Sequence, residues 1–131
     1  MGDQFSRNVF RGKPEAFRRD QANTELVRSI LADRDMFDKY RVYEKLFFII
    51  ALMHSENNDD QQKMLAEIEK LEQFTKDKPS DKMRGAMLKF GKDHADTIAK
   101  FGRYPTRNKA LGRANTPEEE EYLKNADGWG Q

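Results

Sequence analysis

The stretch that decides the fold is residues 42–54, VYEKLFFIIALMH. From Leu46 to Met53 it is apolar without a break. Eight consecutive apolar positions fit either a strand or a buried helix. The flanks favour the helix: no second run with two-residue alternation stands near enough to pair with it, and an all-round apolar helix is a buried one. We therefore expect a helix from Val42 to His54 at the centre of the molecule, covered on every side.

The segments around it repeat the helical period. Pro14 starts a short helix through Phe17. Asp20 stands where it can cap a helix whose face carries Leu26, Val27, Ile30 and Leu31. Met64, Ile68, Leu71 and Phe74 stripe a helix from Asp60 to Phe74. Met83, Met87, Phe90, Ile98 and Phe101 fall in one arc of a helix from Lys82 to Phe101, with Lys82, Lys89, Lys92, Asp93, Asp96 and Lys100 opposite. Gly102 is a left-handed stop. Thr116-Pro117-Glu118-Glu119 is a capping box with proline at the first helical position, opening a short helix to about Lys124. The expected fold is all-α, five or six helices in a single domain spanning 1–131, with a frayed tail from about residue 126.

Composition narrows the function classes. The chain has 131 residues, 24 Lys and Arg against 23 Asp and Glu, and no Cys. Absence of Cys excludes disulfides, thiol nucleophiles and Cys-ligated metals. The neutral balance argues against a nucleic-acid partner. Residues 82–113 are locally basic, with nine basic against two acidic side chains, but the aromatic residues there, Phe90 and Phe101, read as core and the lysines as surface. No apolar run reaches the length of a membrane span, so no membrane partner is expected. No secretory leader is read at the start, and a cytoplasmic location is expected. Met1-Gly2 through Ser6 loosely matches an acylation pattern; we read it as coincidence, since Phe5 and Arg7 read as part of the fold.

Three polar clusters carry what chemistry there is: Asp3-Gln4-Phe5-Ser6-Arg7-Asn8; His54-Ser55-Glu56; and Gly102-Arg103-Tyr104-Pro105-Thr106-Arg107-Asn108, followed by Leu111-Gly112-Arg113. Guanidinium forks suit carboxylate or phosphate, and Asn both donates and accepts. The expected ligand-binding set is Arg7, Asn8, His54, Glu56, Arg103, Arg107, Asn108 and Arg113, holding an anionic small molecule or a peptide carboxylate. Alternatively, each Arg pairs with an internal acid, all three clusters are structural and the domain is a scaffold. His54, Ser55 and Glu56 are sequence neighbours and cannot form a triad among themselves on a helix. An enzyme reading would make His54 or Glu56 the acid–base group with the arginines as oxyanion stabilisers. His94 reads as a core histidine between Phe90 and Ile98. Two histidines without ligand spacing give no metal site, and no cofactor is expected. We expect the three clusters to meet, with Glu56 the counter-ion of Arg7 or Arg107.

Taken together, Asp3-Gln4-Phe5-x-Arg7-Asn8, Phe17, Asp20, His54-Ser55-Glu56 with Asp60-Gln61, Phe101-Gly102-Arg103-Tyr104-Pro105-x-Arg107-Asn108-x-x-Leu111-Gly112-Arg113 and Thr116-Pro117-Glu118-Glu119 resemble the bacterial domain-of-unknown-function family 924. The resemblance covers nearly the whole chain. It implies a tetratricopeptide-like helical array and a shared polar site, and brings no reaction with it. The chain departs from the family pattern at Ser6 (usually Pro), Ala51 (a Pro is common) and Thr106 (often His), which removes any proton transfer by a histidine at 106. The family usually carries a further helical segment before the Asp-Gln-Phe motif, so we expect a homodimer covering the face that segment would cover.

Overall fold

The computed structural model describes residues 7–126. The Asp3-Gln4-Phe5-Ser6 motif, the acylation-like start and the tail with Trp129 lie outside the described residues. Eight α-helices follow in chain order: α1 (Asp20–Ala32), α2 (Arg34–Asp38), α3 (Val42–Met53), α4 (Asn58–Lys70), α5 (Glu72–Thr75), α6 (Pro79–Phe101), α7 (Asn108–Leu111) and α8 (Pro117–Leu123). Pro14–Phe17 and Pro105–Arg107 form 3-10 turns. Among the described residues there is no strand, and no helix is long and apolar enough to cross a membrane. The helices beyond the expected six are one-turn pieces, α2, α5 and α7, set in the connections.

Local chemistry explains most boundaries. Asn57 caps α4 by accepting from the amides of Asp59 and Asp60. Pro79, at the first position of α6, starts that helix three residues earlier than the spacing predicted. Gly102 ends it in the left-handed region at φ 71°, where a side chain would be strained. The Thr116–Glu119 capping box is present in both directions. Asp20 does not cap α1: it is the first helical residue, the cap position belongs to Arg19, and the carboxylate is used elsewhere.

The core is built by α1, α3, α4 and α6, with Leu46, Ile49 and Leu52 of α3 and Met64 of α4 wholly buried. Helix α3 packs on α1, α4 and α6, and α4 packs most extensively on α6. Several apolar assignments need correction. Helix α3 is not covered all round: Tyr43 and Phe47 are about half exposed, because three neighbours occupy the other sides. Leu26 on α1, Phe74 on α5, and Met83 and Phe90 on α6 also face outward. The reason at Phe90 is Gly91. A Cβ there would meet Met64 Cε at 3.1 Å and Leu65 Cδ2 at 3.2 Å, so the two helices close over a glycine and the seam runs through Gly91, Ala95 and Ile98. The neighbouring Phe90 is thereby turned out.

Candidate functional site

Fold and sequence bring parts of all three polar clusters together. Arg7 donates from Nη2 to Asp20 Oδ2 at 2.7 Å, and Arg107 Nη1 stands 3.4 Å from the same oxygen. Phe17, just before α1, lies under both guanidiniums, 5.2 Å from Arg7 and 4.7 Å from Arg107. Tyr104 faces Arg107 at 4.7 Å, so this arginine is held between two aromatic rings. A guanidinium stacked on rings keeps its charge while its flat faces are dry. Arg107 is 3% exposed, and burial pulls its pKa down to about 10, against the pull of Asp20.

A cleft of about 350 Å³ opens beside this pair, lined by Phe17, Asp20 and Thr24, by His54 and Glu56, and by Arg107 among others. Its rim is fixed by a second carboxylate. Arg28 donates from Nε to Asp60 Oδ1 at 2.8 Å, and Ser55 Oγ donates to Asp60 Oδ2 at 2.5 Å. Burial pushes the Asp60 carboxyl up, but Arg28 and Ser55 outweigh it and leave its pKa below the ordinary value.

Glu56 is paired, but not with the expected partner. Arg113 grips it bidentately, at 2.8 and 2.9 Å, and the Tyr104 amide donates to it at 2.8 Å. Burial would raise its pKa; Arg113 and that amide outweigh burial and hold it below the usual glutamate value. The counter-ion of Arg7 and Arg107 is Asp20. The correction has a simple physical cause: the turn after Gly112 swings Arg113 back over Glu56, while Asp20, at the start of α1, faces both other arginines.

From Arg113 the network runs away from the cleft. Its Nε donates to Asn108 Oδ1 at 2.9 Å, and Asn108 Nδ2 donates to Glu119 Oε2 at 2.9 Å. Arg103 completes the chain with two hydrogen bonds to Glu119, at 2.8 and 2.9 Å, and one to the Ala114 carbonyl. The Arg103 hydrogen bond is the main cause of a Glu119 pKa of about 2, held down further by the Thr116 amide and Asn108. The eight residues singled out in the sequence therefore divide. Arg107, His54 and Glu56 line the cleft, and Arg7 touches its wall through Asp20; Arg103, Asn108 and Arg113 pin α7 and α8 to the rest; Asn8 is exposed. Asp20, Phe17 and Glu119 were read only as a cap, a family match and a capping-box partner. A count of charges offered the missing signal, because two arginines destined for the interior require a buried acid.

Behind the cleft, Tyr104 is wholly buried and its hydroxyl donates to the Met53 carbonyl at 2.5 Å, while Gln61 Nε2 donates to that hydroxyl at 2.9 Å. Burial raises the Tyr104 pKa. His94 packs edge-on to Tyr104 at 5.6 Å and donates from Nδ1 to the Phe90 carbonyl at 2.7 Å. Burial brings its pKa down to about 4, so it is a neutral core histidine. Among the described residues, no group of three or more Asp, Glu or His is placed to hold a metal ion.

Residues 1–127 match the family described as "Bacterial protein of unknown function (DUF924)". The chain belongs to this family. A solved structure, that of the protein of unknown function ATU0120 from Agrobacterium tumefaciens, is similar to this chain at a TM-score of 0.73 and 27% identity. The match covers 95% of this chain and 63% of that one, so this DUF924 chain spans less than two thirds of that structure's length. No curated protein matches the chain.

Proposed function

We propose that this protein is a binding module whose cleft takes the anionic group of a small molecule or peptide, with Arg107 as the principal contact and Arg7, Asp20 and His54 around it. One observation carries the reading: a guanidinium almost wholly out of water, clamped between Phe17 and Tyr104, lines an open cleft. Desolvation is costly for a cation, and an anion arriving in the same dry site recovers it. Arg7 adds to this, since its Nε and Nη1 are buried with no hydrogen-bond partner among the described residues. The rigid aromatic clamp leaves the fork little freedom to lose on binding. Glu56, locked against Arg113 below the ordinary glutamate pKa, favours binding over acid–base work by that carboxylate.

A thermal-shift screen of anionic metabolites and C-terminal peptides tests the reading, because a ligand for the native state alone raises its stability. We expect at least one anion to raise the Tm of the wild-type chain and not that of Arg107→Gln. Failure of every anion, or equal shifts in both proteins, overturns it; Arg107→Lys, which keeps charge but loses the fork, replaces the Gln variant if that one does not fold. Association belongs to the same reading. Tyr43 and Phe47, one turn apart on α3, are about half exposed, which supports a homodimer through that side of α3. Light scattering coupled to size exclusion decides it: a 15.4 kDa species at all concentrations rules the dimer out.

A further inference from the structure

A second cavity, of about 400 Å³, opens between α2, α3, α4 and α5 and shares no lining residue with the cleft. Its unusual member is Lys45. This residue lies on the core face of α3, next to Leu46 and one turn before Ile49, both wholly buried, and it is itself only 6% exposed. It is also the fourth residue of that helix, near the end where the amide dipoles make a cation unwelcome. A lysine here breaks two rules at once: it is buried, and it stands at the wrong end of a helix. Such departures concentrate where a protein meets a ligand.

The compensation Lys45 receives is thin. Its Nζ stands 3.4 Å from Asp38 Oδ1, a carboxylate whose side chain is 72% exposed. The rest comes from two phenyl faces, Phe37 at 5.1 Å and Phe74 at 5.5 Å. The deeper carboxylate nearby, Glu67, is committed to Arg34 and Lys70. Counting the described charges on the wall, Arg34, Lys45 and Lys70 stand against Asp38 and Glu67, which leaves an excess of one positive charge.

We propose that this cavity binds a small organic carboxylate with an apolar, preferably flat body. The carboxylate meets Lys45 Nζ, and the body lies against Phe37 and Phe74. The rings and the desolvated ammonium select against strongly hydrated inorganic anions, which would have to give up water without gaining apolar contact. The ring of Phe74 is about half exposed and forms the outer edge, so occupation would cover apolar surface that now faces water.

The test is an NMR titration of the full chain with phenylacetate, and with inorganic phosphate in parallel. A ligand of this size binds with a Kd of about 1 mM. The expected result is saturable shifts at residues 37–38, 45 and 71–74 with phenylacetate, none there with phosphate, and loss of those shifts in Lys45→Met. Methionine keeps the length of the side chain and suits a buried helical position, so that variant should fold and melt no lower than wild type; Lys45→Gln serves if it does not. No saturable shift in that region, shifts that persist undiminished in the variant, shifts confined to residues 17–24 and 107, or equal shifts with phosphate would each overturn the proposal. Because the Arg107 cleft shares no residue with this cavity, the positions of the shifts separate this outcome from the outcome for that site.

Discussion

Two parts of this molecule are held together by different physics. The bundle of α1, α3, α4 and α6 relies on area: Leu46, Ile49, Leu52 and Met64 are removed from water, and many partners share the work. The segment after Gly102 relies on addresses. Arg103, Asn108, Arg113 and Glu119 each have named polar partners, and Arg107 reaches across to Asp20. Area is forgiving of which apolar residue supplies it. A buried polar atom left without its partner is not forgiven, because desolvation is then uncompensated.

The sharpest way to break this contrast is Asp20→Ala. It removes the carboxylate that Arg7 and Arg107 share and leaves two buried cations facing one another. We expect a loss of about 3–5 kcal/mol in urea unfolding, as for a buried pair cut on one side. A loss under about 1 kcal/mol would show that the pair is not held by that acid. The core comparison comes next. Leu46→Ala should cost about 2–5 kcal/mol, whereas Phe47→Ala, one residue along the same helix but half exposed, should cost markedly less. Similar losses at both positions would mean that α3 is covered on its outer side as well.

A third measurement uses pH. His94 titrates near 6.5 when unfolded and at about 4 in the fold, because burial disfavours its charged form. Below the unfolded value the unfolded chain binds the extra proton, so stability is intact above about pH 6.5 and falls as pH drops towards 4. The full shift corresponds to about 3 kcal/mol. His94→Gln should flatten the pH dependence of the unfolding free energy across that window; an unchanged slope would assign it to other groups. The smallest effect is at Gly85, inside α6, where an added Cβ meets nothing within 4 Å. Gly85→Ala should stabilise the chain by about 0.4–1 kcal/mol, and a destabilisation would show crowding that the packing does not predict.

The same contrast explains what could be read in the sequence. Helices α1, α3, α4, α6 and α8 were legible, because periodicity, proline, glycine and the Thr116 capping box are local signals. The one-turn helices were not, since four or five residues carry too little pattern. Which side of a helix faces inward was legible to within about one residue: Phe90 was misplaced because the close approach at Gly91 depends on a partner helix 27 residues earlier, around Met64. In the polar regions, residue type revealed that Arg7, Arg107, His54 and Glu56 belong together. It did not reveal that Glu56 is held by Arg113 and that Asp20 serves the other two, because a carboxylate looks the same in a sequence whichever arginine the fold brings to it. Lys45 stood within the decisive stretch and passed unnoticed, since a single charge at the start of an apolar run reads as surface.

The way the Gly102–Ala126 segment is fastened also bears on its motion. Tyr104 reaches Met53 across 51 residues of chain, and Arg113 reaches Glu56 across 57. Closures over such separations follow the formation of local helices rather than lead it. A segment fastened by a polar network around one buried ring, Tyr104, can detach as one unit at a free energy below that of global unfolding. Opening would carry Arg107 away from Asp20 and dismantle one wall of the cleft while α3, α4 and α6 remained paired. The cleft then exists only in the latched population. Anything that bridges its walls would slow amide exchange throughout the segment, far beyond the residues it touches.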